Sequence, residues 1–472
     1  MTGLPCACVI GAGSSGIAAA KALHERGIPF DCFERSDRVG GNWVFANRNG
    51  MSSAYRSLHI NTSRERMEYS DYPMPRSYPD FPHHTQIAAY FDAYVDRFGL
   101  RGQIAFETGV QHAARCADGV WTITLETGER RRYDALLVAN GHHWDPRWPE
   151  PPFPGRFDGA QMHSHEYIEN TAFHDKRVLV VGIGNSAMDI AVESSFVAAR
   201  TMLSSRRGAH ILPKYLFGRP IDQIGVNPLI TRLPVTVRSA IAATLYRIGV
   251  GRMPDYGLPE PDHKLGEAHP TISPDFLNRV AHGEIVWKPS IASLQGDRVR
   301  FADGSAEQVD VIIWCTGYKV SFPFFDPNFV SAPRNDLPLF RRVFKPGIDN
   351  LFFIALLQPV GATMPLAEAQ GRWVAAYLRG EYQLPPVAEM EADMRRERAR
   401  MLARYVASER HTMQVDFDSY LHDLGSERRA GAVRARAAGS RLPVPAREKI
   451  MGPGAELLPP QPSRPELPDL LA

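Results

Sequence analysis

Apolar residues fall along this chain in short runs that end at glycine, and stretches of helical period follow. Residues 6–10 (CACVI) form one such run, the pattern of a strand buried on both faces. Residues 11–16 (GAGSSG) follow, setting Gly11, Gly13, Ser14, Ser15 and Gly16 in a tight turn, and residues 17–24 turn helical in composition. A second strand is predicted over residues 30–33 (FDCF), ending at Glu34. The pattern then recurs. Residues 177–181 (RVLVV) read as a strand, 182–187 (GIGNSA) as its loop, 188–196 as a helix and 201–203 as the next strand. Two more apolar runs, 134–141 (DALLVANG) and 310–317 (DVIIWCTG), each end at a glycine turn and read as strands returning the chain to a sheet.

Strands that alternate with helices predict an α/β fold with parallel sheets. The repeated unit suggests two Rossmann-like dinucleotide-binding domains, the second inserted into the first. On this reading residues 1–164 and 315–424 form the first domain and residues 165–314 the second. Within the second, residues 208–283 are rich in proline and glycine, an elaboration whose helical patch, 235–248, is expected to pack as an ordinary helix. Helices are also predicted over 364–379 and 388–405. From 425 to 472 the chain becomes Arg/Ala/Gly-rich and then Pro-rich, a composition expected to be disordered.

The loops carry the first chemistry. In G-x-G-x-x-G between a strand and a helix, the first glycine makes the turn, the second admits a pyrophosphate and the third lets the helix pack on the strand. The pyrophosphate then faces the positive end of the helix dipole. Glu34 lies roughly 20 residues beyond the loop, where a carboxylate accepts ribose hydroxyls. The second loop, with Gly182, Gly184, Asn185 and Ser186, has alanine at the third glycine position. Its following strand ends in Ser204-Ser205-Arg206-Arg207, not in an acid. A 2′-phosphate repels carboxylate and attracts guanidinium, so this site asks for NADPH and the first for FAD.

Composition narrows the classes. Hydrophobic residues make up 44% and charged residues 22%, and the formal net charge is +2, which excludes the concentrated basic surface of a nucleic-acid binder. The five cysteines form no C-x-x-C pair and no metal-ligand spacing, which suits a reducing cytoplasm. No signal peptide and no apolar run of transmembrane length is evident. The paired histidines (His83, His84, His142, His143, His165) lack further ligands at suitable spacing and read as loop residues.

At residues 157–167 (FDGAQMHSHEY) the chain spells F-x-G-x-x-x-H-x-x-x-Y. This string, just before the second glycine loop, resembles the fingerprint of the flavin-containing monooxygenases. Residues 34–35 (ER) with 40–43 (GGNW) resemble the family's first flavin segment, although Asn42 stands where an apolar residue is usual. Residues 59–63 (HINTS) with 70–73 (SDYP) resemble its active-site asparagine loop. The likeness continues through 269–273 (HPTIS), 315–318 (CTGY), 358–359 (QP), 370–373 (QGRW) and 414–416 (QVD), spanning about residues 5 to 425. The hydrophobic C-terminal anchor of the family's membrane-bound animal members is missing, which favours a soluble protein.

The resemblance implies an FAD-dependent, NADPH-consuming monooxygenase that forms a C4a-hydroperoxyflavin and oxygenates a soft nitrogen or sulfur nucleophile. Asn61 becomes the catalytic candidate, with Thr62 beside it. Trp43 and Gln358 become flavin neighbours, and His163 and Tyr167 position the inter-domain connection. A small amine or sulfide and O2 are the expected partners, with a homodimer as the usual assembly. Three alternatives stay open: a Baeyer–Villiger enzyme (whose fingerprint ends in Trp), an amine N-hydroxylase, and a nucleotide-binding redox sensor without turnover. A disulfide reductase is excluded, because no redox cysteine pair exists.

Overall fold

The computed structural model describes residues 3–224, 235–404 and 412–445. In chain order its principal elements are β1 (Ala7–Ile10), α1 (Ser14–Glu25), β2 (Phe30–Phe33), β3 (Ile104–Ala105), β4 (Ala135–Val138), β5 (Ala160–His163), β6 (Arg177–Val181), α2 (Asn185–Ser194) and β7 (Arg200–Ser204). They continue as α3 (Val235–Gly249), β8 (Ile285–Lys288), β9 (Val311–Trp314), β10 (Leu351–Phe353), α4 (Met364–Leu378), α5 (Val387–Arg404) and α6 (Phe417–Ala437).

Two five-stranded sheets result, each parallel throughout. The first has the order β10-β4-β1-β2-β3 and the second β5-β9-β6-β7-β8. Both glycine loops leave the central strand of their sheet. Ile10 is in register with Phe33 and Val138, and Val181 with Ser204 and Trp314. The loops therefore open where the sheet order reverses, the crevice in which α/β proteins bind nucleotides.

Strand pleat divides the core. On β1, Ala7 and Val9 join the helical side with α1 and α4, while Cys8 and Ile10 face Trp121, Ile123 and Tyr133 of a three-stranded antiparallel sheet. The second sheet divides likewise: Val178 and Val180 point to one cluster and Leu179 to another. Ala18, Ala19, Ala20 and Ala22 are buried on α1, and these small side chains let α4 approach closely.

Two expectations from composition are corrected. Residues 425–437 are not disordered but continue α6, because Leu424, Gly431 and Ala435 are buried and Gly431 O accepts the Gln383 N–H at 3.1 Å. Residues 446–472 of the expected disordered tail lie outside the described residues. The α3 helix also departs from ordinary packing. It rests through buried Tyr246, and Val237, Ile241 and Ile248 are exposed, the last by 71%.

Candidate functional site: two nucleotide cradles and an asparagine loop

In the first loop Gly11 N–H donates to Phe33 O at 2.8 Å, and the α1 helix then starts at Ser14, after Gly13, without a side-chain cap. Its first-turn N–H groups are thus left for an anion. A Cβ on Gly16 would stand 1.8 Å from the Gly11 carbonyl oxygen, so only glycine lets the helix close on the turn. Gly13 faces Gly41, and a Cβ on Gly13 would stand 3.6 Å from Gly41 Cα, which brings the GGNW turn against the loop.

Glu34 stands at the end of β2 as expected. Its two carboxylate oxygens accept N–H groups from Ala12 at 2.7 Å and Ser36 at 2.8 Å. Burial raises its carboxyl pKa, and these backbone donors oppose the rise. A carboxylate so held has a fixed direction at the end of β2, where one for a ribose is expected.

Asn42, the departure from the family pattern, ties its turn to a later segment, because its Oδ1 accepts both the backbone N–H (2.8 Å) and the hydroxyl (2.9 Å) of Ser53. Trp43 is half-buried and packs against the first core. Gln358 pairs through its backbone with Gln414 and precedes α4.

The second cradle repeats the plan. Gly182 has φ +142°, and a Cβ there would lie 2.5 Å from Cys315 O. The α2 helix, which contains Asn185 and Ser186, follows Gly184, again without a side-chain cap, and Ala187 is fully buried. Asn185 serves structure as well, since its Oδ1 accepts the Ile272 N–H at 2.8 Å and so fastens the 208–283 elaboration to the loop. After β7, Ser205 Oγ accepts from Trp287 Nε1 and donates to Arg207 O, both at 2.9 Å. Arg207 pairs with Asp262 at 3.4 Å, whereas exposed Arg206 enters no ion pair among the described residues. Residues 204–207 thus leave one guanidinium uncommitted where a 2′-phosphate is expected.

Asn61 is half-buried between Ile60 and the nearly closed Thr62 and Ser63. Its side chain forms no hydrogen bond among the described residues. The loop around it is tied down: Ile60 N–H donates to Pro82 O at 3.1 Å, and Asp222 accepts both Ser63 N–H (2.7 Å) and Ser63 Oγ–H (2.9 Å). Asp222 belongs to the elaboration, and no local motif marked it in the sequence. Nearby, burial lowers the His84 pKa to about 4, so that ring is neutral in ordinary buffers. Among the described residues no cluster of three or more His, Cys, Asp or Glu side chains converges as a metal site.

The cradles thus fit two dinucleotides: uncapped helix ends for pyrophosphate, a directed carboxylate for one ribose and a free guanidinium for the other nucleotide. The model of the flavin-binding monooxygenase-like family matches residues 6–432. The chain belongs to that family. Its members are NADPH- and O2-dependent oxidoreductases that use FAD and NADPH, and this monooxygenase is accordingly an FAD- and NADPH-dependent enzyme.

It is 38% identical over 434 residues to flavin-containing monooxygenase 5 of Rattus norvegicus, covering 88% of this chain and 81% of that protein. It is 33% identical over 441 residues to dimethylaniline monooxygenase [N-oxide-forming] 2 of Macaca mulatta, covering 89% and 82%. Among solved structures, the S-allyl-L-cysteine S-oxygenase of Allium sativum superposes with a TM-score of 0.67 at 26% identity over 92% of each chain. No described helix of the monooxygenase is long and apolar enough to cross a membrane.

Proposed function

We propose that this monooxygenase transfers one oxygen atom of O2 to an uncharged soft nucleophile, an amine nitrogen or a thioether sulfur, and that Asn61 contacts the reacting oxygen. One observation carries the reading. The two cradles open from the central strands of two parallel sheets, and the loop that Asp222 pins presents a side-chain amide committed to no described residue. The N-oxide-forming and S-oxygenating relatives support the same substrate class.

Residues 1–164 and 315–424 are assigned to FAD and 165–314 to NADPH, although β5 (Ala160–His163), at the end of the first segment, pairs with β9 in the second sheet. Gly11, Gly13, Ser14, Ser15 and Gly16 would hold the FAD pyrophosphate and Glu34 its ribose. Gly182, Gly184, Asn185 and Ser186 would hold that of NADPH, with Ser205 and Arg206 at the 2′-phosphate. When bound, NADPH supplies a hydride to FAD, and the reduced flavin supplies activated oxygen. The chain's own part is to orient and to exclude water. Asn61 donates an amide N–H toward the transferred oxygen, and the Ser63–Asp222 link keeps that amide in place.

Asn61→Ala is the direct test. The variant should retain FAD and oxidise NADPH, yet release hydrogen peroxide in place of oxygenated product. Unchanged coupling would remove Asn61 from the site. A thioether, a tertiary amine and a cyclic ketone assayed in parallel test the substrate class, and an ester formed faster than sulfoxide or N-oxide would move the reading to Baeyer–Villiger chemistry.

A further inference from the structure

Two carboxylates on α2 have no place in the chemistry above. Asp189 and Glu193 stand one turn apart, both largely shielded from solvent, on the helix that opens at the second glycine loop. Like charges at this spacing weaken a helix, and burial adds a desolvation cost. Burial indeed raises the Asp189 pKa to about 6 and raises that of Glu193 as well. Neutral residues of similar shape would make a more stable helix, so the carboxylates answer to another demand.

Their partners show which. Tyr55 donates its hydroxyl to Asp189, and Ser57 and Tyr167 donate theirs to Glu193. Tyr55 and Ser57 lie on the segment that leads into Asn61, and Tyr167 ends the eleven-residue fingerprint. Further contacts add to the join: Arg56 N–H donates to Ile168 O at 2.9 Å, the Arg56 guanidinium pairs with Glu169 at 2.5 Å, and Asn170 Nδ2 donates to Glu193 O at 2.7 Å. The Tyr55 and Tyr167 rings meet at 5.8 Å. Two segments, 55–57 and 167–170, thus meet each other and α2.

We propose that Asp189 and Glu193 are positioning residues that latch the Asn61-bearing segment to the helix of the NADPH loop, so that protonation of the pair loosens the register between the two nucleotide sites. The proposal rests on the reading of Asn61 as the residue at the reacting oxygen. Other charged or titratable groups facing the pair are Lys214 and Asp275, which act on Asp189, and Cys315 and Glu169, which lie close to Asp189 and Tyr167 respectively. Lys214 is itself partly desolvated, with its ammonium 5.1 Å from the Phe81 ring centroid.

The pH sign follows from the raised carboxyl. The native state binds a proton on Asp189 near pH 6, whereas an unfolded aspartate does so near its ordinary value of 3.8. The buried carboxyl therefore contributes stability that is full below 3.8, is lost as pH rises from there through about 6, and changes little above that. Protonation at the same time turns the charge-assisted Tyr55 bond into a weaker neutral one. Global stability and the latch thus move in opposite directions with pH, which a purely structural role does not produce.

The test uses FAD-loaded enzyme and the variants Tyr55→Phe, Asp189→Asn and the two combined, between pH 5 and 8. Tyr55→Phe should lose stability at pH 8, and the backbone amides of Arg56, Leu58 and Ile60 should exchange with deuterium about tenfold faster or more. Asp189→Asn should be at least as stable as the parent at pH 8 and should lack the parent's pH dependence in this window. The combined variant should regain stability while exchange at 56–60 stays fast. Parent-like exchange in both Tyr55→Phe and the combined variant, or a parent-like pH profile in Asp189→Asn, overturns the latch. Faster exchange without added peroxide release would uphold the latch and count against the Asn61 reading, so the two failures are distinguishable.

Discussion

Arg206→Ala tests the assignment of the second cradle most sharply, because the structure separates two adjacent arginines that the sequence leaves equivalent. The turn after β7 is held by Ser205, whose Oγ sits between Trp287 Nε1 and Arg207 O at 2.9 Å each. Arg207 is drawn to Asp262 at 3.4 Å, with both side chains 52% exposed. Such a pair is weak in itself, yet it gives Arg207 a carboxylate that competes with a phosphate. Arg206 has no competing partner among the described residues and is free to meet the 2′-phosphate. A hydrogen bond between charged groups contributes about 1.5–3 kcal/mol once formed in a site, so its loss should lower kcat/KM for NADPH about ten- to hundredfold. NADH lacks the phosphate and should be used as before. Arg207→Ala should cost markedly less, and Asp262→Ala should tighten NADPH by releasing Arg207. The assay is anaerobic bleaching of the flavin by each nucleotide in a stopped-flow spectrometer. An unchanged NADPH-to-NADH preference in Arg206→Ala, or a larger effect of Arg207→Ala, would refute the reasoning.

Other outcomes follow from the same geometry. Gly16→Ala places a methyl 1.8 Å from the Gly11 carbonyl, so the turn must open, and the purified protein should carry about tenfold less FAD, read from its absorbance ratio. Asp222→Ala strips the acceptor from the Ser63 N–H, a loss of about 1–3 kcal/mol for a buried donor, and should increase peroxide release at unchanged FAD content. Asp310, whose carboxyl is held down to about 2 by the Arg177 guanidinium, contributes stability that is full above its ordinary value of 3.8 and fades as pH falls toward 2. Asp310→Asn should cost about 1 kcal/mol at pH 7, screened by solvent, and only a small part of that at pH 2, as measured by denaturant titration.

The strands and loops were legible because local rules set them. Apolar runs with glycine turns mark β1, β4, β6 and β9 without any tertiary information, and the pairing of Ile10 with Phe33 and of Val181 with Ser204 follows from the parallel units they begin. Glu34 was legible for the same reason, as its position is fixed by strand length. What remained hidden depends on contacts between distant segments. Composition alone made residues 425–437 look disordered, whereas burial of Leu424, Gly431 and Ala435 holds them in a helix. Asp222 lies in a stretch without periodicity, and only its bond to Ser63, 159 residues away, gives it meaning. Asp189 and Glu193 had one local mark, two acids four apart among the apolar residues Met188, Ile190, Ala191 and Val192. That mark is a violation of helix stability, and such violations concentrate where function demands them. The fingerprint's terminal Tyr167 then gains a physical reason: its hydroxyl reaches Glu193, so the motif couples the connection between the sheets to the helix at the second nucleotide loop. A phenylalanine there would fill the same volume yet leave Glu193 with one donor fewer. Tyr167→Phe should accordingly raise peroxide release without reducing FAD content, and equal coupling in that variant would confine the fingerprint to packing.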